Sequence, residues 1–182
     1  VLLDEVLDSL QLQSGGCYLD CTFGGGGHTR AILERYDDIK VIAIDRDPDG
    51  ALRAEELVRE FGDRFKFYNL NFSDLDQVEE SELDGILFDL GVSSFQLDEE
   101  ERGFSFRYDA PLDMRMNPEE DVSASDYLEK CDREDLVRAV RDYGEEKAWR
   151  RVVDAIIDAR GTGKLNTTFG LVTVIDDVIG AR

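Results

Sequence analysis

Three short apolar runs in the first half of the chain each close on an aspartate, and helical segments separate them. The runs are residues 17–21 (Cys-Tyr-Leu-Asp-Cys), 40–45 (Lys-Val-Ile-Ala-Ile-Asp) and 84–90 (Asp-Gly-Ile-Leu-Phe-Asp-Leu). A further strand is expected at 65–70. Between them, 28–36 and 48–61 read as helices, with Pro48 suited to a first helical turn, and 74–80 reads as a short helix. Near-continuous apolar strands alternating with helices predict an α/β fold, with a parallel sheet covered on both faces. Ligands of such sheets bind beyond the carboxyl ends of the strands, which is where Asp20, Asp45 and Asp89 fall.

The pattern changes after residue 91. Residues 91–122 read as a long loop rich in Gly, Pro, Arg and aromatics, a length that usually signals function or disorder. Helices are expected at about 123–130, 132–142, 145–160 and 168–179, with Ser123 and Asp132 as N-caps. Trp149, Val152, Val153, Ile156 and Ile157 share one apolar face. The chain therefore divides into an α/β half-domain, 1–91, and a loop plus helical subdomain, 92–182.

Several classes are disfavoured by composition. No run approaches the ~18 apolar residues of a membrane span. Leu2, Leu3, Val6, Leu7 and Leu10 are interrupted by Asp4, Glu5 and Asp8, which predicts an amphipathic helix and no signal peptide. Cys17, Cys21 and Cys131 lack the spacing of a metal site or a disulfide framework, so no metal is expected and free thiols in a reducing cytoplasm are. The net charge of −21 is dispersed along the chain and lacks the basic footprint of an RNA binder. Dispersed acid of this kind points to a salt-loving source, in whose medium the repulsion is screened.

The chemistry centres on Asp20-Cys-Thr-Phe-Gly24-Gly25-Gly26-Gly27-His28, which leaves a strand and opens a helix. Glycines let backbone turn tightly and approach a ligand. A dinucleotide loop uses the same turn to present a helix N-terminus to pyrophosphate. Here Thr29 replaces the third fingerprint glycine, and an acid precedes the loop, where it would repel phosphate. That acid suits an ammonium group, and S-adenosylmethionine carries an amino-acid moiety and a sulfonium but no phosphate. Asp45 is placed for ribose hydroxyls, a role common to nucleotide and S-adenosylmethionine sites. A second polar segment, Asp89-Leu-Gly-Val-Ser-Ser-Phe-Gln96, leaves the fourth strand, where Asp89, Ser93 and Ser94 could orient an amine.

Taken with Ala-Ile-Asp-Arg-Asp-Pro (43–48), Glu-Arg-Gly-Phe-Ser-Phe (101–106), Pro-Leu-Asp-Met-Arg-Met (111–116) and Tyr-Gly-Glu-Glu (143–146), these motifs resemble the RsmH or MraW methyltransferases. Members of that family methylate N4 of a cytidine in small-subunit ribosomal RNA. The resemblance implies a partial doubly wound parallel sheet, the first four strands of a class I methyltransferase-like fold, with an all-helical insertion. It implies S-adenosylmethionine contacts from Gly24, Gly26, Gly27, His28, Asp45, Phe72, Asp89 and Gln96, with Phe72 against adenine. The substrate would be a cytidine drawn out of its stack. Arg102, Phe104, Phe106, Arg107, Tyr108 and Arg115 supply cations and aromatic faces for RNA.

Two departures stand out. Phe95 replaces the usual Pro of the Ser-Ser-Pro-Gln run. The family's later Thr-Arg-x-Phe-Gln-Ala-Leu-Arg-like and Ser-Phe-His-Ser-Leu-Glu-Asp-like segments are absent, so the chain is expected to be a fragment with little activity alone. Strand four would then be an open edge, available to a second copy or a complementing chain. Two rivals share parts of the pattern: a nicotinamide-dependent oxidoreductase, and a noncatalytic binding remnant.

Overall fold

The apolar runs pair as a four-stranded parallel sheet in the computed structural model, which describes residues 2–80, 82–119 and 122–180. The strands are β1 (Cys17–Asp20), β2 (Lys40–Asp45), β3 (Phe65–Asn69) and β4 (Gly85–Leu87), in the order β3-β2-β1-β4. Asp20 is in register with Ala43 and Leu87, and Asp45 with Asn69. The strand-ending acids therefore share one edge. Parallel neighbours require crossovers. Helices α2 (Gly27–Leu33) and α3 (Asp49–Phe61) provide those after β1 and β2. Helix α1 (Leu3–Leu10) precedes the sheet, with Leu7 and Leu10 as its inward residues.

Strand alternation sorts the core. Tyr18, Val41, Ala43 and Phe65 point to the helical face, where they pack with Ile32, Leu33, Ala54 and Leu57. Leu19, Cys21, Ile42 and Ile44 point to the other face, against Tyr68, Leu70, Leu75, Val78 and Leu83. The expected helix at 74–80 is a 3₁₀ segment, Phe72–Gln77, begun by Asn71, whose side chain accepts the Ser73 amide. This second face is thus covered in part by a short turn where a full helix was expected.

Strand β4 is shorter than its apolar run. It lies at the edge of the sheet beside β1, and its ladder ends at Leu87. Asp84 turns its carboxylate back to the Cys17 amide, 2.8 Å away, and the Asp89 amide leaves the sheet to donate to Thr22 Oγ1. Ile86, Phe88, Leu90 and Val92 are exposed.

The chain forms two compact units, Val1–Phe95 and Gln96–Arg182. The second has its own core of Leu136, Val152, Val153, Ile156, Leu165 and Val174. Helix α4 (Ser94–Asp98) begins in the first unit, within the 91–122 segment, and the second unit contains α5 (Ala124–Lys130), α6 (Arg133–Val137), α7 (Trp149–Ala159) and α8 (Thr168–Ile179). Residues 120 and 121 of that segment lie outside the described residues. Ser123 and Asp132 cap α5 and α6 through the Asp126 and Asp135 amides. Helix α6 runs on as a π-helical segment, Arg138–Tyr143. Glu145 then takes a left-handed φ of 51°, which delays α7 to Trp149. Among the described residues, no helix is long and apolar enough to cross a membrane.

Candidate functional site

Asp20 ends β1 inside the protein, and its carboxylate is held by the loop that follows. Oδ1 accepts from the Thr22 amide at 3.0 Å, and Oδ2 accepts from Thr29 Oγ1 at 2.8 Å. The acid thus ties the start of the loop to the first turn of α2. Burial pushes its pKa above the ordinary 3.8, against the hydrogen bonds from Thr29 and Thr22 and the nearby His28. The sequence suggests Asp20 for an ammonium group. In the structure both oxygens also have donors within the loop, so the side chain shapes that loop as well.

Glycine is required at particular points of the loop. Gly24 and Gly26 have φ of 52° and 75°, which side chains rarely adopt. A Cβ on Gly26 would lie 2.8 Å from the Phe23 ring, and one on Gly25 would collide with Phe95. Gly27 faces open space. The Gly24 amide donates to Asp45 Oδ2 at 2.7 Å, while Asp45 Oδ1 accepts from the Asp47 amide at 2.9 Å. From the other side, Arg53 Nε donates to the Gly24 carbonyl at 2.9 Å, and its guanidinium lies over the Phe95 ring, 5.1 Å from the centroid.

Four further candidates, His28, Asp89, Ser93 and Phe72, lie toward this edge. His28 Nδ1 lies 3.8 Å from Asp89 Oδ2; the His28 side chain is 11% exposed and that of Asp89 44%, so the acid is the partner open to solvent. Ser93 sits beside Gly24, its Cβ 3.7 Å from where a Gly24 side chain would begin. Phe72 meets Phe88 edge to face, with centroids 5.9 Å apart and both rings part-exposed. Ser94 is exposed at the start of α4. Gln96 is buried and belongs to the second unit. Sequence reasoning missed Arg53, Thr22 and Thr29 as organisers of the loop. The two threonines flank the glycines and could have been suspected; Arg53 carries no local signal.

The proposed RNA-facing residues of the second unit divide into two groups. Arg102 donates through Nη2 to the carbonyls of Arg115 and Met116, at 3.2 and 2.8 Å. Arg115 grips Asp113, at 2.9 Å through Nε and 2.6 Å through Nη2, and holds that carboxyl below its usual range. These two arginines brace their own loop, while their part in holding RNA stays an expectation. Phe104 is half-buried, whereas Phe106, Arg107 and Tyr108 are exposed.

Comparison with known proteins agrees with the motifs. The chain matches the MraW methylase family over residues 1–182. It is 42% identical over 183 residues to a protein of Finegoldia magna named ribosomal RNA small subunit methyltransferase H, covering 98% of this chain and 59% of that one. The protein of the same name from Rickettsia conorii is also 42% identical, covering 100% of this chain and 59% of its own length. The chain therefore spans about three-fifths of these relatives. A solved rRNA methylase from Streptococcus thermophilus is 21% identical with a TM-score of 0.41, over 48% of this chain and 53% of that one. On the full-length family match and the motifs that occupy the carboxyl edge of the sheet, the chain belongs to the MraW methylase family.

Proposed function

We propose that this chain forms the methyl-donor half of an S-adenosylmethionine-dependent methyltransferase acting on N4 of a cytidine in small-subunit ribosomal RNA. The observation that carries the reading is the glycine loop at the end of β1, fastened by Asp20 below and Asp45 beside it. Asp20, Asp45, Asp47 and Asp89 make its surroundings acidic. Negative charge suits an ammonium and a sulfonium and opposes a pyrophosphate. The residues present therefore fit this donor better than a nicotinamide dinucleotide. Family membership and the names of the relatives support the substrate.

Gly24, Gly26, Gly27 and His28 would hold the donor's amino-acid end, Asp45 its ribose, and Phe72 its base. Bound S-adenosylmethionine supplies an electrophilic methyl group. The chain's own task is alignment and exclusion of water. Asp89, with Ser93 and Ser94, accepts an N4–H of the cytosine and so aims the nitrogen lone pair. No cysteine nucleophile is needed for an exocyclic amine. Phe106, Arg107 and Tyr108 serve the RNA side, with Phe104 behind them. Such a substrate implies a cytoplasmic protein.

The open edge of β4, beside Ile86 and Leu90, suits pairing with a second copy or a complementing chain. Because β4 leads into Asp89, the chain alone should transfer methyl groups weakly. Tritiated-methyl transfer to small-subunit RNA tests the reading. Label recovered as N4-methylcytidine supports it, and label on another atom or base overturns it.

A further inference from the structure

A chain with a net charge of −21 repels RNA over most of its surface, so any RNA contact must be concentrated. Six of the 21 basic residues fall between 133 and 151: Arg133, Arg138, Arg141, Lys147, Arg150 and Arg151. Four of them line a groove of about 490 Å³ in the helical unit, together with Trp149.

The groove is organised around the indole. Trp149 is half-buried at the start of α7 and packs against the helical core. Arg150 lies over its ring at 4.3 Å from the centroid, and Arg141 at 5.4 Å. Guanidinium–indole stacks present a flat cationic surface on which a nucleobase can lie. Arg150 is exposed, and among the described residues no carboxylate is within ion-pair distance of it. The other arginines are engaged at the surface: Arg141 with Asp142 at 2.6 Å, Arg138 with Asp135 at 3.0 Å, and Arg133 with Asp154 at 2.5 Å. Exposed pairs of this kind contribute little and can yield to a phosphate. Arg138 and Arg141 both belong to the π-helical segment, a distortion that recurs at functional sites.

We propose that the Trp149–Arg150 stack, flanked by Arg138 and Arg141, is a docking platform for single-stranded RNA: an unpaired base lies on the stack and the flanking arginines take adjacent phosphates. This rests on the reading of the substrate as RNA. It adds a contact in the helical unit, separate from the 102–115 loop. An acidic peptide would also meet the arginines here, but it offers no base to lie on a planar stack; Glu134, Asp142 and Asp154 border the groove and oppose any polyanion, so the stack, and not net charge, is what selects RNA.

The chain's single tryptophan makes the test direct: excited at the red edge, where its six tyrosines do not absorb, fluorescence reports this groove alone. Titrating an oligocytidylate of about eight nucleotides into the whole chain at low salt should quench Trp149 saturably. Affinity should fall with salt by about 0.7 in log–log slope for each phosphate contact. Arg150→Gln, an exposed change that spares the core, should weaken binding about tenfold or more, with Arg150→Lys intermediate. The Arg138→Gln, Arg141→Gln double variant should lower the salt slope. Absence of quenching, quenching unmoved by Arg150→Gln, or equal quenching by polyglutamate overturns the proposal. Calorimetry with S-adenosylhomocysteine on the same samples separates the two readings. Loss of oligonucleotide binding with intact ligand binding rejects the platform alone, and the reverse rejects the donor site alone.

Discussion

The Asp45 carboxylate accepts a 2.7 Å hydrogen bond from the Gly24 amide, so the acid that ends the second strand also holds the loop that leaves the first. Its other oxygen takes the Asp47 amide. Asp45→Asn keeps one acceptor and sets an NH₂ against an N–H. We expect a loss of about 1–3 kcal/mol in urea unfolding and S-adenosylhomocysteine binding weaker by about tenfold or more. Unchanged values of both would detach Asp45 from loop and ligand alike.

Neighbouring glycines should respond oppositely. Ala at position 26 must adopt φ near 75° and press its Cβ on the Phe23 ring, so Gly26→Ala should destabilise the fold by about 1–3 kcal/mol. Gly27 begins α2 with open space beyond it, and Ala is the better helix former, so Gly27→Ala should hold or raise stability. If Gly27 faces the ligand, the same variant loses S-adenosylhomocysteine affinity while remaining folded. Thermal melts and titrations of the pair distinguish a loop shaped for folding from one shaped for binding.

Asp20 has an unusual pH signature. Its folded pKa is raised by burial, so the folded state holds this proton more tightly than the unfolded chain does. The group's contribution to stability is full below its ordinary 3.8 and declines as pH rises through the raised folded value. Asp20→Asn removes that decline and can still meet Thr22 and Thr29. Its Tm advantage over wild type should be smallest near pH 4 and grow toward neutrality. Affinity for S-adenosylhomocysteine should change by less than about threefold if the acid only shapes the loop. A larger loss returns Asp20 to direct contact with the ammonium.

The dispersed acid makes a separate prediction. Raising KCl from low to molar concentration shortens the screening length from about 10 Å toward 3 Å. It should raise Tm, by about 2–4 °C for each kcal/mol of repulsion relieved. A flat melting temperature across that range would count against a salt-adapted chain.

The acid-terminated runs made the sheet legible before any coordinates, because burial on two faces leaves a continuous apolar signature and register then aligns the strand ends. Ser123 and Asp132 were legible as caps because capping is local chemistry. What stayed hidden depends on tertiary context. The shortness of β4 goes with the contacts at its two ends, the Asp84 carboxylate on the Cys17 amide and the Asp89 amide on Thr22 Oγ1, which its apolar sequence does not record. The late start of α7 follows from the left-handed Glu145 after a π-helical segment. The Arg53 clasp on Gly24 and Phe95 joins residues far apart in sequence. Arg102 and Arg115 look like free cations in sequence, and only the fold reveals the carbonyls and the carboxylate they serve.

The central claim is that the loop from Asp20 to His28 receives a sulfonium donor and not a pyrophosphate. Isothermal titration of the whole chain with S-adenosylhomocysteine and, separately, with NAD tests it most directly. Saturable one-to-one binding of S-adenosylhomocysteine and no heat from NAD are expected. Binding of NAD, or of neither ligand, would contradict it.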